Sequence, residues 1–201
     1  GDALESLKFQ SICFNFCRQR FFVLTSGGKW MFSVNDHVVF GNHGICVIKA
    51  IGPLDLGIAE RGRLYYTLEP LYTQKNTIYT PVDSEKNSLR RAITREEALE
   101  LIDRIPQVET VWVPDEKRRE ERYREIMRQN DCMGWMQIIK TLYLKKQKRL
   151  AEGRKNTARD ELYLKLAEDF LYGEFAAALD VEKGEVEDLI GRRVREMEMC
   201  L

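Results

Sequence analysis

What this chain has little of narrows its class before any motif is read. Five cysteines in 201 residues, Cys13, Cys17, Cys46, Cys132 and Cys200, form no Cys-x-x-Cys pair, and only two histidines accompany them. An odd, scattered set argues against a disulfide framework and against a zinc site, so a reducing compartment is expected. Long apolar runs are missing as well, which excludes a hydrophobic helical span of the usual length. Net charge is zero, from 32 basic and 32 acidic residues. There is no internal repeat, no low-complexity tract and no Gly/Ser linker, and no glycine-rich phosphate loop opens a helix. What is present is an apolar fraction of 44%, enough for a real core in one large domain or two small ones.

Two textures divide the chain. Strand-like runs at 37–40, 45–51, 64–71 and 77–82 are separated by Gly41, Gly44, Gly52, Pro53 and Gly57. Short strands with glycine corners predict a small barrel over residues 31–93. In its first hairpin Val34, Val38 and Phe40 alternate toward a core, Asp36 turns the chain through its carboxylate, and Gly44 supplies the φ freedom of a tight corner. The loop at 53–62 carries Leu54, Leu56 and Ile58, apolar side chains expected at an exposed hairpin tip.

From residue 94 the period changes to that of helices. Thr94 and Glu97 form a capping box before Ala98, Leu101 and Ile102, and Pro106 follows its end. Pro114 and Asp115 open a charged helix with Tyr123, Ile126 and Met127 as its narrow apolar side. Trp135, Ile138, Ile139 and Leu142 stripe a third helix, which Gly153 ends. Thr157 and Asp160 cap a fourth, with Tyr163, Leu166, Ala167, Phe170, Leu171, Phe175 and Ala178 as a wide inner face. Asp180 is expected to cap a fifth, with Val186, Leu189, Ile190 and Met197 inward. The fold class is therefore α+β in two domains: a small SH3/Tudor-like β barrel, then an all-α helical bundle at 94–201.

The first thirty residues stand apart, because their apolar side chains follow neither a helical nor a strand period. Neither a signal peptide nor a transit peptide is apparent. The run Gly27-Gly28-Lys29-Trp30-Met31 is also the translation expected of a ribosome-binding sequence, a spacer and a start codon. Met31 as the native start and a genuine extension at 1–30 are both consistent with these residues.

Neutrality overall conceals a charge separation. Residues 117–155 carry thirteen basic residues against five acidic ones, and from Asn156 onward six basic residues face twelve acidic ones. Lys117, Arg124 and Arg128 fall on one stripe of the second helix, away from Tyr123 and Met127. Such a stripe suits a phosphate backbone. A solvated helix face with ordinary pairs such as Glu120 with Arg124 accounts for the same residues.

The hairpin residues Val38-Val39-Phe40 followed by His43-Gly44 resemble the polymerase-interacting domain of the CarD/CdnL family, which is shared with the transcription-repair coupling factor. Arg122-Tyr123-Arg124 and the small and apolar run at 174–179 extend the resemblance into the helices. It implies a bacterial transcription regulator, cytoplasmic and nucleoid-associated. Its barrel would dock on the RNA polymerase β subunit, and its helices would touch promoter DNA without reading sequence, stabilising the open complex. Carried onto this chain, the DNA contacts are Lys117, Arg118, Arg119, Arg122, Arg124 and Arg128. The polymerase contacts are Leu54, Leu56, Ile78 and Tyr79, a more apolar set than the arginines of relatives. Arg119 stands where several relatives wedge a tryptophan into the minor groove. An arginine could enter a narrow groove there without unstacking bases, and Trp112 nearby is read as core.

No catalytic residue, cofactor, metal or small-molecule substrate is expected, and no membrane partner. His43 and Cys46 lie at a spacing that in a strand sends side chains to opposite faces, and Asp36 and His37 have no third group. Two alternatives keep the barrel: an RNA-binding module, disfavoured because the basic residues concentrate on helices, and a protein-interaction module using the acidic last helices.

Overall fold

The computed structural model describes residues 23–24, 30–54, 62–72, 76–84, 89–111, 113 and 115–199, with the backbone alone at 23–24, 30–31, 116–117 and 197–199. Val23–Leu24 (β1) and Trp30–Met31 (β2) form a short antiparallel ladder. The remaining strands are His37–Phe40 (β3), Ile45–Gly52 (β4), Tyr65–Pro70 (β5), Ile78–Pro81 (β6) and Leu89–Arg91 (β7). They make one antiparallel sheet in the order β6-β5-β4-β3-β7. Four of these five strands follow the predicted runs. β7, only three residues long and containing two arginines, carries no apolar alternation by which to find it.

Both turn residues of the first hairpin behave as their chemistry dictates. The Asp36 carboxylate accepts from the Ser33 backbone N–H at 2.9 Å, closing the turn that places Asn35 at φ 70°. Gly44 has φ 67°, and its carbonyl accepts from the Phe40 N–H at 2.9 Å. A register shift between Ile48 and Ala50 on β4 bends the sheet sharply. Ile78 on one edge strand and Leu89 on the other pack against the same cluster of Val38, Cys46, Ile48, Tyr66 and Leu68, so the sheet curls around its own interior.

The alternation expected for β3 is only half right. Val38 is buried, but Val34 is exposed and Val39, on the opposite face, is fully buried. Val39 and Ile45 belong to the helical core, because the helices cover the outer face of the sheet there. A strand buried on both faces loses its period of two.

Five α-helices follow: Arg95–Asp103 (α1), Glu116–Gln129 (α2), Cys132–Ala151 (α3), Ala158–Leu179 (α4) and Val186–Met199 (α5). The Thr94/Glu97 capping box starts α1, and Thr157 accepts from the Asp160 N–H at the start of α4. Trp135, Ile138 and Leu142 of α3 pack with Ala167, Leu171 and Phe175 of α4, and Tyr123 and Ile126 of α2 join the same core. Gly153 leaves α3 at φ 69°. Two expectations fail. Leu166 is exposed, whereas Leu164 and Leu179 are buried, and α4 is covered on all sides at 173–176, where the sheet packs on it. Asp180 does not start α5: it ends α4 in the left-handed conformation, and a Glu182/Glu185 box leads into α5 instead.

Candidate functional site

α2 carries the cations, and its position follows from one stripe of side chains. Tyr123 and Ile126 anchor it, and Gly134 on α3 lets it approach so closely that a Cβ there would lie 2.7 Å from Ile126 Cγ2. With that face inward, Arg118, Arg122, Arg124 and Arg128 point outward and are exposed. Arg122 pairs with Glu125 at 3.2 Å and Arg124 with Glu120 at 3.0 Å, both within α2. Exposed pairs of this kind are worth ~0–1 kcal/mol, so a phosphate can replace the carboxylate at little cost. Arg119 is different: it is half-buried, and its Nε donates to the Val113 carbonyl at 3.1 Å. Lys117 lies in α2, with its side chain outside the described residues, as is Trp112.

The sheet presents the apolar candidates. Tyr79, on edge strand β6, is 45% exposed, while its neighbour Ile78 turns in to the barrel core. Leu54 is half-buried, and Leu56 and Ile58 lie outside the described residues. Successive residues of a strand face opposite ways, so Ile78 and Tyr79 do not share a surface.

The residue-by-residue reading missed what joins the two parts. Arg90 of β7 makes a two-pronged pair with Glu174 of α4, at 2.6 and 2.7 Å, and its Nε donates to the Asn130 carbonyl. The guanidinium lies 5.4 Å from the centre of the Trp135 ring. Glu174 is 0% exposed, and it also accepts from the Ile93 N–H at 2.9 Å and from the Cys132 thiol at 3.1 Å. Its carboxylate is therefore satisfied on every side. A signal was present: Glu174 is an acidic residue isolated in an apolar run, which requires a buried partner. Below it Gly173 packs where a Cβ would come within 3.1 Å of Tyr72 and 3.4 Å of Ile45. The sheet and the helices are thus locked at the strand that ends the sheet.

The residues weighed for catalysis are not assembled for it. His43 is exposed, in a 3-10 turn rather than a strand, and stacks on Phe40 at 5.7 Å. Cys46 is in the barrel core, and burial pushes its thiol up to about 12. Burial and then Glu174 also push the Cys132 thiol up. Neither thiol is activated as a nucleophile.

The curled sheet thus has an exposed aromatic edge at Tyr79, and α2 has a row of outward cations. Residues 32–93 match the CarD-like/TRCF RID domain, so this segment of the chain is similar to that family of domains. The match ends just before Thr94, the N-cap of α1, so the helices lie beyond it. No match to a curated protein accompanies it. Among the described residues no helix is long and apolar enough to cross a membrane.

Proposed function

We propose that this chain is a bacterial transcription regulator, acting in the cytoplasm on the nucleoid. Its segment 31–93 docks on the β subunit of RNA polymerase, and its segment 94–201 contacts promoter DNA without sequence preference. The DNA contact stabilises the open complex. The observation that carries this reading is a segment similar to a polymerase-interacting domain that is fixed to the helices, Arg90 pairing with buried Glu174 of α4 and donating to the Asn130 carbonyl at the end of α2, the helix with four outward arginines. A fixed attachment matters because a weak electrostatic contact gains effective concentration once the other surface is bound. Lys117, Arg118, Arg122, Arg124 and Arg128 are assigned to the phosphate backbone, with Arg119 beside them. Leu54, Leu56 and Tyr79 are assigned to the polymerase side, whereas Ile78, which faces the sheet's interior, holds β6 in place and makes no contact there.

The test uses the full chain, measuring retention by purified polymerase and affinity for a promoter duplex. Tyr79→Glu should reduce retention and spare duplex affinity. The double variant Arg122→Glu/Arg124→Glu should do the reverse, with duplex affinity falling more than about tenfold at low salt. A chain not retained by polymerase at all would sink the proposal. Duplex affinity insensitive to salt would favour a protein-interaction module in its place.

A further inference from the structure

Between the first half of α2 and the first turn of α4 lies a cleft lined by Arg119, Glu120, Tyr123, Thr157, Arg159 and Asp160. Tyr123 is 2% exposed, yet its hydroxyl has no hydrogen-bond partner there. A buried hydroxyl left unpaired is costly and uncommon, and it marks a place where an acceptor belongs. Burial, and after it Asp160, push the phenol up to about 12, so at neutral pH it carries its proton. Thr157 is the N-cap of a 22-residue helix, whose positive end therefore opens on the same cleft.

The charges around the cleft are arranged for exchange. Glu120 is shared by Arg159 at 2.6 Å and Arg124 at 3.0 Å, and Asp160 is held by Lys145 at 2.6 Å. The Arg159 side chain is 61% exposed and free to turn from Glu120 toward an incoming anion, while Arg124 remains to neutralise Glu120.

We propose that this cleft seats one backbone phosphate of duplex DNA, with the Tyr123 hydroxyl and the Arg159 guanidinium as its donors. The inference rests on the DNA-contacting reading and adds to it a residue outside α2. A polyanion fits better than a single anion, because Arg118 and Arg122 continue along α2 on one side and exposed Arg154 and Lys155 immediately precede the cap on the other. The basic surface then spans two helices and a turn.

Fluorescence anisotropy of the full chain with a short duplex, titrated over a salt series, tests it. Arg159→Gln should weaken binding about tenfold and flatten the log affinity against log salt by about 0.9, the share of one phosphate. Tyr123→Phe should weaken binding several-fold with the salt slope unchanged and the melting temperature no lower. Both variants should keep polymerase retention. Wild-type affinity and slope in both would overturn the seat and leave the DNA reading standing, whereas a wild-type chain with no duplex affinity would overturn both. Polyglutamate at the same ionic strength is the control: if it binds as the duplex does and loses as much in Arg159→Gln, the cleft receives an acidic protein and not a phosphate.

Discussion

Glu174 shows how one buried charge can hold two halves of a molecule. Its carboxylate is fully desolvated and survives only because Arg90, Cys132 and the Ile93 N–H all donate to it. Removing one partner of such a pair costs far more than the pair contributes, since the other charge is stranded. Arg90→Ala should therefore destabilise the chain by about 3 kcal/mol in a denaturant melt. The double variant Arg90→Met/Glu174→Leu should recover most of that loss. If the single variant melts like the wild type, the pair does not hold the parts together.

At the scale of elements, the N-terminus of α1 and the crossing of α2 over α3 are open to direct measurement. Glu97 accepts from Arg91 at 2.7 Å and closes the Thr94 box, and the Arg91 pairing foremost lowers its carboxyl to about 2. The folded form thus binds this proton more weakly than the unfolded chain, whose value is near the ordinary 4.5. Its stabilising contribution is complete above about pH 4.5 and is lost as pH falls toward 2. Melts between pH 2 and 6 should show a smaller acid-induced decline for Glu97→Gln than for the wild type. At the crossing, Gly134→Ala improves helix propensity but drives a methyl to 2.7 Å from Ile126. The overpacking should win, with a net loss of ~1–2 kcal/mol and faster proteolysis within α2. A stabilised variant would mean that α2 can shift without cost.

Considered whole, the molecule is not two independent beads. Val39 and Ile45 leave the sheet's own interior and join the helical core, and Arg90 reaches across with them. Residues 31–93 produced alone would expose both apolar side chains and leave Arg90 in water without its carboxylate partner. That segment should melt well below the full chain and associate at high concentration, as calorimetry and light scattering would show. Equal melting temperatures would mean that the sheet's outer face contributes nothing.

Much of this was written in local sequence. The Thr94 box, Asp36, Gly44 and Gly153 act on neighbours a few residues away, and the apolar stripes of α2 and α3 declare their inner faces by period alone. That locality is why the element types, the resemblance over residues 32–93 and the inner face of α2 were legible. Tertiary structure decided the rest. Val39 broke the alternation because a distant helix covers it, β7 was invisible because its pairing lies with β3 far upstream, and the stray acidity of Glu174 had no meaning until Arg90 met it across 84 residues. The Tyr123 cleft belongs with these, for it exists only where α2 lies beside the first turn of α4. Contacts between side chains remote in sequence leave no periodic trace, since their energy depends on a geometry that only the folded chain supplies.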